Sequence, residues 1–180
     1  MLSVKDTELR FALDTIGKKP KLVITDSQAF GEVSRMVPAD IHLTSFSVLM
    51  ARYNGFLETA VESIKAIDRL KPGDRILISE ACTHHRQCGD IGSVKIPAWL
   101  NKHLGFTPEL DFSSGREFPE DLSRYKAVIH CGGCMINERE MQFRKNCAIH
   151  QGVPFINYGI LIAYMNNILD RSLEVLKKEF

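Results

Sequence analysis

Long apolar runs are missing from this chain of 180 residues. None approaches the ~20 consecutive apolar residues that a membrane-spanning helix needs. Met1 to Lys5, followed by Asp6, offers no apolar core of a secretory leader, so a cytoplasmic setting is expected. Charge of one sign is missing too: 23 Lys and Arg against 22 Asp and Glu leave a net charge of +1. No strong field therefore marks a nucleic acid or an anionic membrane as partner. The densest basic run, Lys18, Lys19 and Lys21, reads as a solvated face. Cysteines are few, an odd five at irregular spacing, which argues against a disulfide framework and for metal binding or redox chemistry. No internal repeat or low-complexity tract is visible. What remains, 44% hydrophobic and 25% charged residues, is the make-up of a globular protein with a real core.

Apolar periodicity reads as alternating elements. Leu2 to Lys5 is a short strand and Asp6 to Gly17 a helix, with Asp6 as cap and Gly17 as stop. Lys21 to Thr25 is a buried, β-branched strand; Ser27 caps a helix from Gln28 to Met36. Ile41 to Leu49 is a third strand and Phe56 to Leu70 a longer helix. The pattern restarts after Arg69 to Arg75, a charged linker carrying Pro72-Gly73. Strands follow at Arg75 to Ser79, Glu109 to Phe112, Ala127 to Ile129 and Phe155 to Tyr158. Helices are expected from Pro97 to Leu104, from Asn137 to Gly152 with Glu140 in the capping-box position, and from Ile160 to Lys178, with a helical turn at Pro119 to Tyr125. This alternation predicts right-handed parallel crossovers, arranged as two consecutive small parallel-sheet α/β domains, residues 1–70 and 71–180. A unit of about seventy residues is marginal alone and leans on a neighbour. Phe46, Val48, Leu49 and Met50 carry more apolar character than a solvent edge needs, which suits either self-association or a core strand.

The chemistry gathers at His130-Cys131-Gly132-Gly133-Cys134, directly after a predicted buried strand. Two cysteines separated by two glycines form a short, unobstructed bite that can grip a metal or close a disulfide. Cys82-Thr83-His84 follows another strand, and the 45 residues between His84 and His130, 85 to 129, suffice for a crossover. Ligand sites in open α/β sheets collect outside the carboxyl ends of strands, and adjacent strands lie ~4.8 Å apart. Three thiolates suit zinc or an iron–sulfur cluster. A closed zinc site would use Cys82, His84, Cys131 and Cys134. A four-iron cluster on Cys82, Cys131 and Cys134 would leave one iron for a weaker ligand, with His84, His130 and Asp90 as candidates. Spacing does not separate zinc from iron–sulfur. His130 can equally orient a thiolate from behind, and Asp90 can simply shape a turn. Cys88 reads as a spectator, and Cys147, one turn from Phe143, as a buried apolar cysteine. Asn157 and Tyr158 either line the same crevice or serve as cap and core.

These residues resemble the cluster signature of HydF, the [FeFe]-hydrogenase maturation GTPase family. The likeness rests on Ile78 to His85, on Asp90-Ile91-Gly92 with Lys95-Ile96-Pro97, and on His130 to Met135. In the first half it extends to Leu22 to Phe30 and to Leu43 to Phe46 with Ala51-Arg52-Tyr53. The resemblance implies a dimerisation domain followed by a cluster-binding domain, in which Cys82, Cys131 and Cys134 hold a [4Fe-4S] cluster with one exchangeable iron position. It implies a homodimeric scaffold and carrier for the two-iron subcluster, working with the radical-SAM maturases HydE and HydG and with apo-[FeFe]-hydrogenase. The family's GTP-binding segment has no counterpart here: Gly17-Lys18-Lys19 lacks the upstream glycine and the hydroxyl of a phosphate loop, so GTPase activity is not expected of these residues. Two rivals remain. A thioredoxin-like dithiol protein would use Cys131 and Cys134 alone, and a structural zinc domain would be colourless and closed.

Overall fold

The structure, a computed structural model, describes residues 1–81 and 90–177. Its first half opens with a 3-10 turn, Asp6–Glu8, and helix α1, Leu9–Thr15. Strands β1, Leu22–Thr25, and β2, His42–Ser45, pair in parallel around helix α2, Phe30–Met36. Helix α3, Phe46–Tyr53, and helix α4, Leu57–Ser63, follow, the latter running into a 3-10 stretch, Ile64–Arg69. The second half holds β3, Arg75–Glu80; α5, Ile96–Leu104; β4, Glu109–Ser114; β5, Ala127–His130; α6, Glu138–His150; β6, Phe155–Asn157; α7, Tyr158–Met165; and α8, Leu169–Lys177. Its strands form one all-parallel sheet in the order β4-β3-β5-β6. The expected α/β class with two small parallel sheets is what the chain adopts.

Four elements differ from expectation, two of them for a local reason that the hydrogen bonds show. The strand expected from Ile41 to Leu49 stops at Ser45, because the Ser45 hydroxyl accepts the Val48 amide at 3.4 Å and caps α3. A short polar side chain satisfies an orphan helix donor there, and the apolar residues beyond it continue at helical spacing. The terminal helix breaks in two at Asn166-Asn167. Asn167 sits at φ 57, its amide bonded to Tyr164 and that of Ile168 to Ala163. This is a Schellman closure. Leu2 to Lys5 and Pro119 to Tyr125 form neither strand nor helix. Ser27, expected as a cap, instead bonds Ser45 through its hydroxyl at 3.3 Å.

The halves share their interior. The main core surrounds the four-stranded sheet and takes in Val48, Ala51, Phe56 and Leu57. A second core holds Leu9, Phe30, Val33, Val37, Ile41 and Leu43 together with Ile162 and Ala163. Helix α7 is buried nearly all round, with Ile160 and Leu161 in one core and Ile162 and Ala163 in the other. Helix α8 packs on β2, and its Arg171 guanidinium donates to the carbonyls of Ser34, Val37, Pro38 and Ile41. A cation there complements the carboxyl end of α2. Among the described residues, no helix is long and apolar enough to cross a membrane.

Candidate metal centre

Strand order fixes where a ligand can sit. Between β3 and β5 the sheet reverses direction: the crossover through α5 runs toward β4, and that through α6 runs toward β6. Such a switch point opens a crevice at the carboxyl ends of its two strands. Here β3 ends at Glu80, two residues before Cys82, and β5 ends at His130, one residue before Cys131. Right-handed crossovers put α5 and α6 on opposite faces. His130, paired in register with Ser79, meets α6; Glu80 and Cys131, one step out of phase along the pleat, face the other way.

Cys131 is locked to the end of β3. Its amide donates to the Ser79 carbonyl at 3.0 Å, and its sulfur accepts the Ala81 amide at 3.1 Å. The sulfur thus lies against the residue that precedes Cys82 in the chain. Cys134 is exposed two residues beyond Gly132, and no disulfide joins it to Cys131. Between them Gly133 takes φ +71, and a Cβ on it would fall 2.1 Å from Met141 Cε. No other residue type fits that position without displacing the buried Met141. Helix α3 supports the turn from the first half: a Cβ on Gly132 would meet Met50 at 3.5 Å, and Asn54 Nδ2 donates to the Gly132 carbonyl at 3.0 Å.

His130 is fully buried between Phe118 and Phe155. Its Nδ1 lies 2.7 Å from the Cys131 carbonyl and its Nε2 3.2 Å from Arg144 Nη1. A guanidinium can only donate, so Nε2 accepts and Nδ1 carries the proton. Burial lowers the imidazole pKa to about 4, with the Arg144 charge adding to that and the Cys131 carbonyl opposing it. The ring is a neutral brace inside the fold, with both nitrogens engaged. Arg144, itself buried, also donates to Glu140 Oε1 at 2.8 Å and to the Gly115 carbonyl.

Asp90 Oδ2 accepts both the amide and the hydroxyl of Ser93 at 2.9 Å, closing the turn that leads into α5. On the same side Tyr158 donates to Glu80 Oε1 at 3.5 Å. Burial first, then the charges of Glu80, Cys131 and Asp90, push the phenol pKa well above its ordinary value, so it stays a hydrogen-bond donor. Gly92 packs against this pair; a Cβ there would lie 2.4 Å from Glu80 Oε1 and 2.6 Å from the Tyr158 oxygen. Asn157 Oδ1 accepts the amides of Gly159 and Ile160 and the Ser47 hydroxyl, so Asn157 caps α7 and clamps it to α3. Cys147 is not the apolar core residue expected. It is half-buried, and its thiol donates to the Glu120 carbonyl at 3.1 Å.

Cys82, His84 and Cys88 lie outside the described residues. Among the described residues, no three His, Cys, Asp or Glu side chains gather closely enough to hold a metal ion. Of the three cysteines expected as ligands, Cys131 and Cys134 lie within the described residues, both as free thiols. Sequence reasoning missed Asn54 and Arg144. The only hints were an Asn-Gly pair ending an apolar stretch, and an arginine four residues after Glu140 on one helix face.

The model described as the hydrogen maturase F tetramerization domain matches residues 58–175, and that described as the hydrogen maturase F dimerization domain matches residues 1–55. Comparison with curated proteins finds no match.

Proposed function

The chain belongs to the hydrogen maturase F family and takes part in hydrogenase maturation, and from that premise we propose that it is a scaffold and carrier whose Cys82, Cys131 and Cys134 hold a [4Fe-4S] cluster. The observation that carries the reading is the seating of Cys131 at the switch point, with its sulfur on the Ala81 amide just ahead of Cys82. The donor set fits the group: thiolates are soft ligands suited to iron–sulfur centres, and the crevice is where an α/β sheet receives a ligand. When bound, the cluster supplies one iron position that lacks a thiolate and can take an exchangeable ligand. His84 is the candidate nearest Cys82 in sequence for that position. His130, with both ring nitrogens engaged, braces the turn instead, and Asp90, whose Oδ2 holds the Ser93 turn, is the other candidate. The cargo in this reading is the two-iron subcluster, received through HydE and HydG and passed to apo-[FeFe]-hydrogenase by a homodimer.

Anaerobic reconstitution with iron and sulfide tests the reading. A brown protein with reduced four-iron EPR signals is expected, with iron uptake lost in Cys131→Ala and in Cys134→Ala. Failure of the wild-type chain to take up iron sinks the proposal. Zinc bound in a colourless tetrahedral site, or a reversible Cys131–Cys134 disulfide as the sole chemistry, would replace it with one of the rivals.

A further inference from the structure

Taking the cysteines as ligands, we infer that Asn54 and Arg144 are positioning residues that aim the backbone amides of Gly132 and Gly133 at the sulfur-ligated centre, so that the turn grips with N–H groups as well as thiolates. The argument starts from the two carbonyls of the turn. That of Cys131 is held by His130 Nδ1 at 2.7 Å, and Arg144, donating to the far nitrogen of the ring, keeps the proton on Nδ1. That of Gly132 is held by Asn54 Nδ2 at 3.0 Å. Both anchors are buried and themselves fixed. Arg144 is gripped by Glu140 and Gly115 and lies over the Phe118 ring. Asn54 is tied through its backbone to Met50 and to Gln142 of α6.

In a trans peptide the N–H points opposite to the C=O of the same plane, and none of these bonds is cis. Pinning the Cys131 carbonyl therefore turns the Gly132 amide away from the His130 ring. Pinning the Gly132 carbonyl likewise turns the Gly133 amide away from Asn54. With Gly133 left-handed at φ +71, successive amides can converge into the N–H concavity that binds anions and iron–sulfur groups in other folds. Among the described residues, the amides of Gly132, Gly133 and Cys134 have no acceptor, although Gly133 is a buried residue. A buried N–H without an acceptor is costly and rare in a native chain. A cluster or thiolate sulfur carrying negative charge would supply the acceptor.

The test uses the full chain labelled with 15N-glycine and loaded with cadmium(II), which reports on thiolate binding independently of iron. In the wild type the Gly132 and Gly133 amide protons are expected to shift downfield and to exchange at least tenfold more slowly once cadmium is bound. Each variant should act on one amide. Asn54→Asp, isosteric but without the donor, should lose the slowing at Gly133 and keep it at Gly132. Arg144→Met should lose it at Gly132 and keep it at Gly133, with Arg144→Lys restoring most of it. A merely structural loss would move both amides together. Where the iron-loaded protein is available, its reduction potential should fall in both variants. Cadmium bound with both amides still exchanging fast overturns the inference and leaves the cluster reading standing. Protected amides in a chain that refuses iron overturn the cluster reading and leave this one standing; refusal of both metals overturns both. If Arg144→Met does not fold, the Asn54→Asp comparison decides alone.

Discussion

A histidine beside a cysteine invites assignment as a ligand, but His130 faces inward, with one nitrogen on the Cys131 carbonyl and the other on Arg144. The pleat explains this: neighbouring residues of a strand point to opposite faces, so Cys131 on the crevice side puts His130 on the α6 side. The consequence is a pH dependence. Burial holds the folded-state pKa near 4 against the ordinary 6.5. Below pH 6.5 the unfolded chain binds a proton that the folded chain refuses until about pH 4, so the stability from a neutral His130 is complete above 6.5 and is lost as pH falls toward 4. In the metal-free protein this amounts to roughly 2 kcal/mol between pH 7 and pH 5. Denaturant titrations of wild type and His130→Gln at the two pH values should show a steeper loss in the wild type. Equal losses would mean the ring is not held neutral.

At the scale of elements, the chain announced its strands better than its helix boundaries. Arg75 to Ser79 and Ala127 to Ile129 are short β-branched runs bounded by turn residues, and both are strands. Cys131 was placed correctly just past the second of them for the same reason. The boundary at Ser45 was not legible, because Phe46 to Ala51 is apolar enough for strand or helix, and only the Ser45 hydroxyl on Val48 settles it. That misreading hid the site's support: Ser47, Met50 and Asn54 touch the turn and its surroundings only because α3 is a helix. The break at Asn167 was hidden because apolar residues run through both flanking helices. Its backbone makes a direct prediction. Asn tolerates the left-handed region better than alanine does, so Asn167→Ala should cost about 1 kcal/mol and Asn167→Gly should cost nothing or stabilise slightly. Thermal melts at fixed pH distinguish the two; an alanine variant as stable as wild type would mean the Schellman closure is not maintained in solution.

For the whole molecule, the gap between the two family matches, after residue 55 and before residue 58, does not coincide with a gap in the core. Phe56 lies in that gap, fully buried and edge-on to Phe155 at 5.6 Å. Val48 and Ala51 belong to the core around the second sheet, α7 belongs to both cores, and Arg171 ties α8 back to the carbonyls after α2. Neither half can unfold without stripping apolar surface from the other, and a two-stranded sheet is too small to persist alone. Calorimetry should therefore show one transition rather than two. The matched domains are named for self-association, and residues 1–55 leave Phe11, Phe46 and Tyr53 largely exposed. Association of folded chains stabilises them by mass action, so the midpoint should rise with protein concentration, and light scattering should give a multiple of the 20.3 kDa chain mass. Two resolved transitions would mean that the shared helices do not couple the halves. A single transition whose midpoint ignores concentration, in a monomer by scattering, would keep the coupling and reject association through these residues.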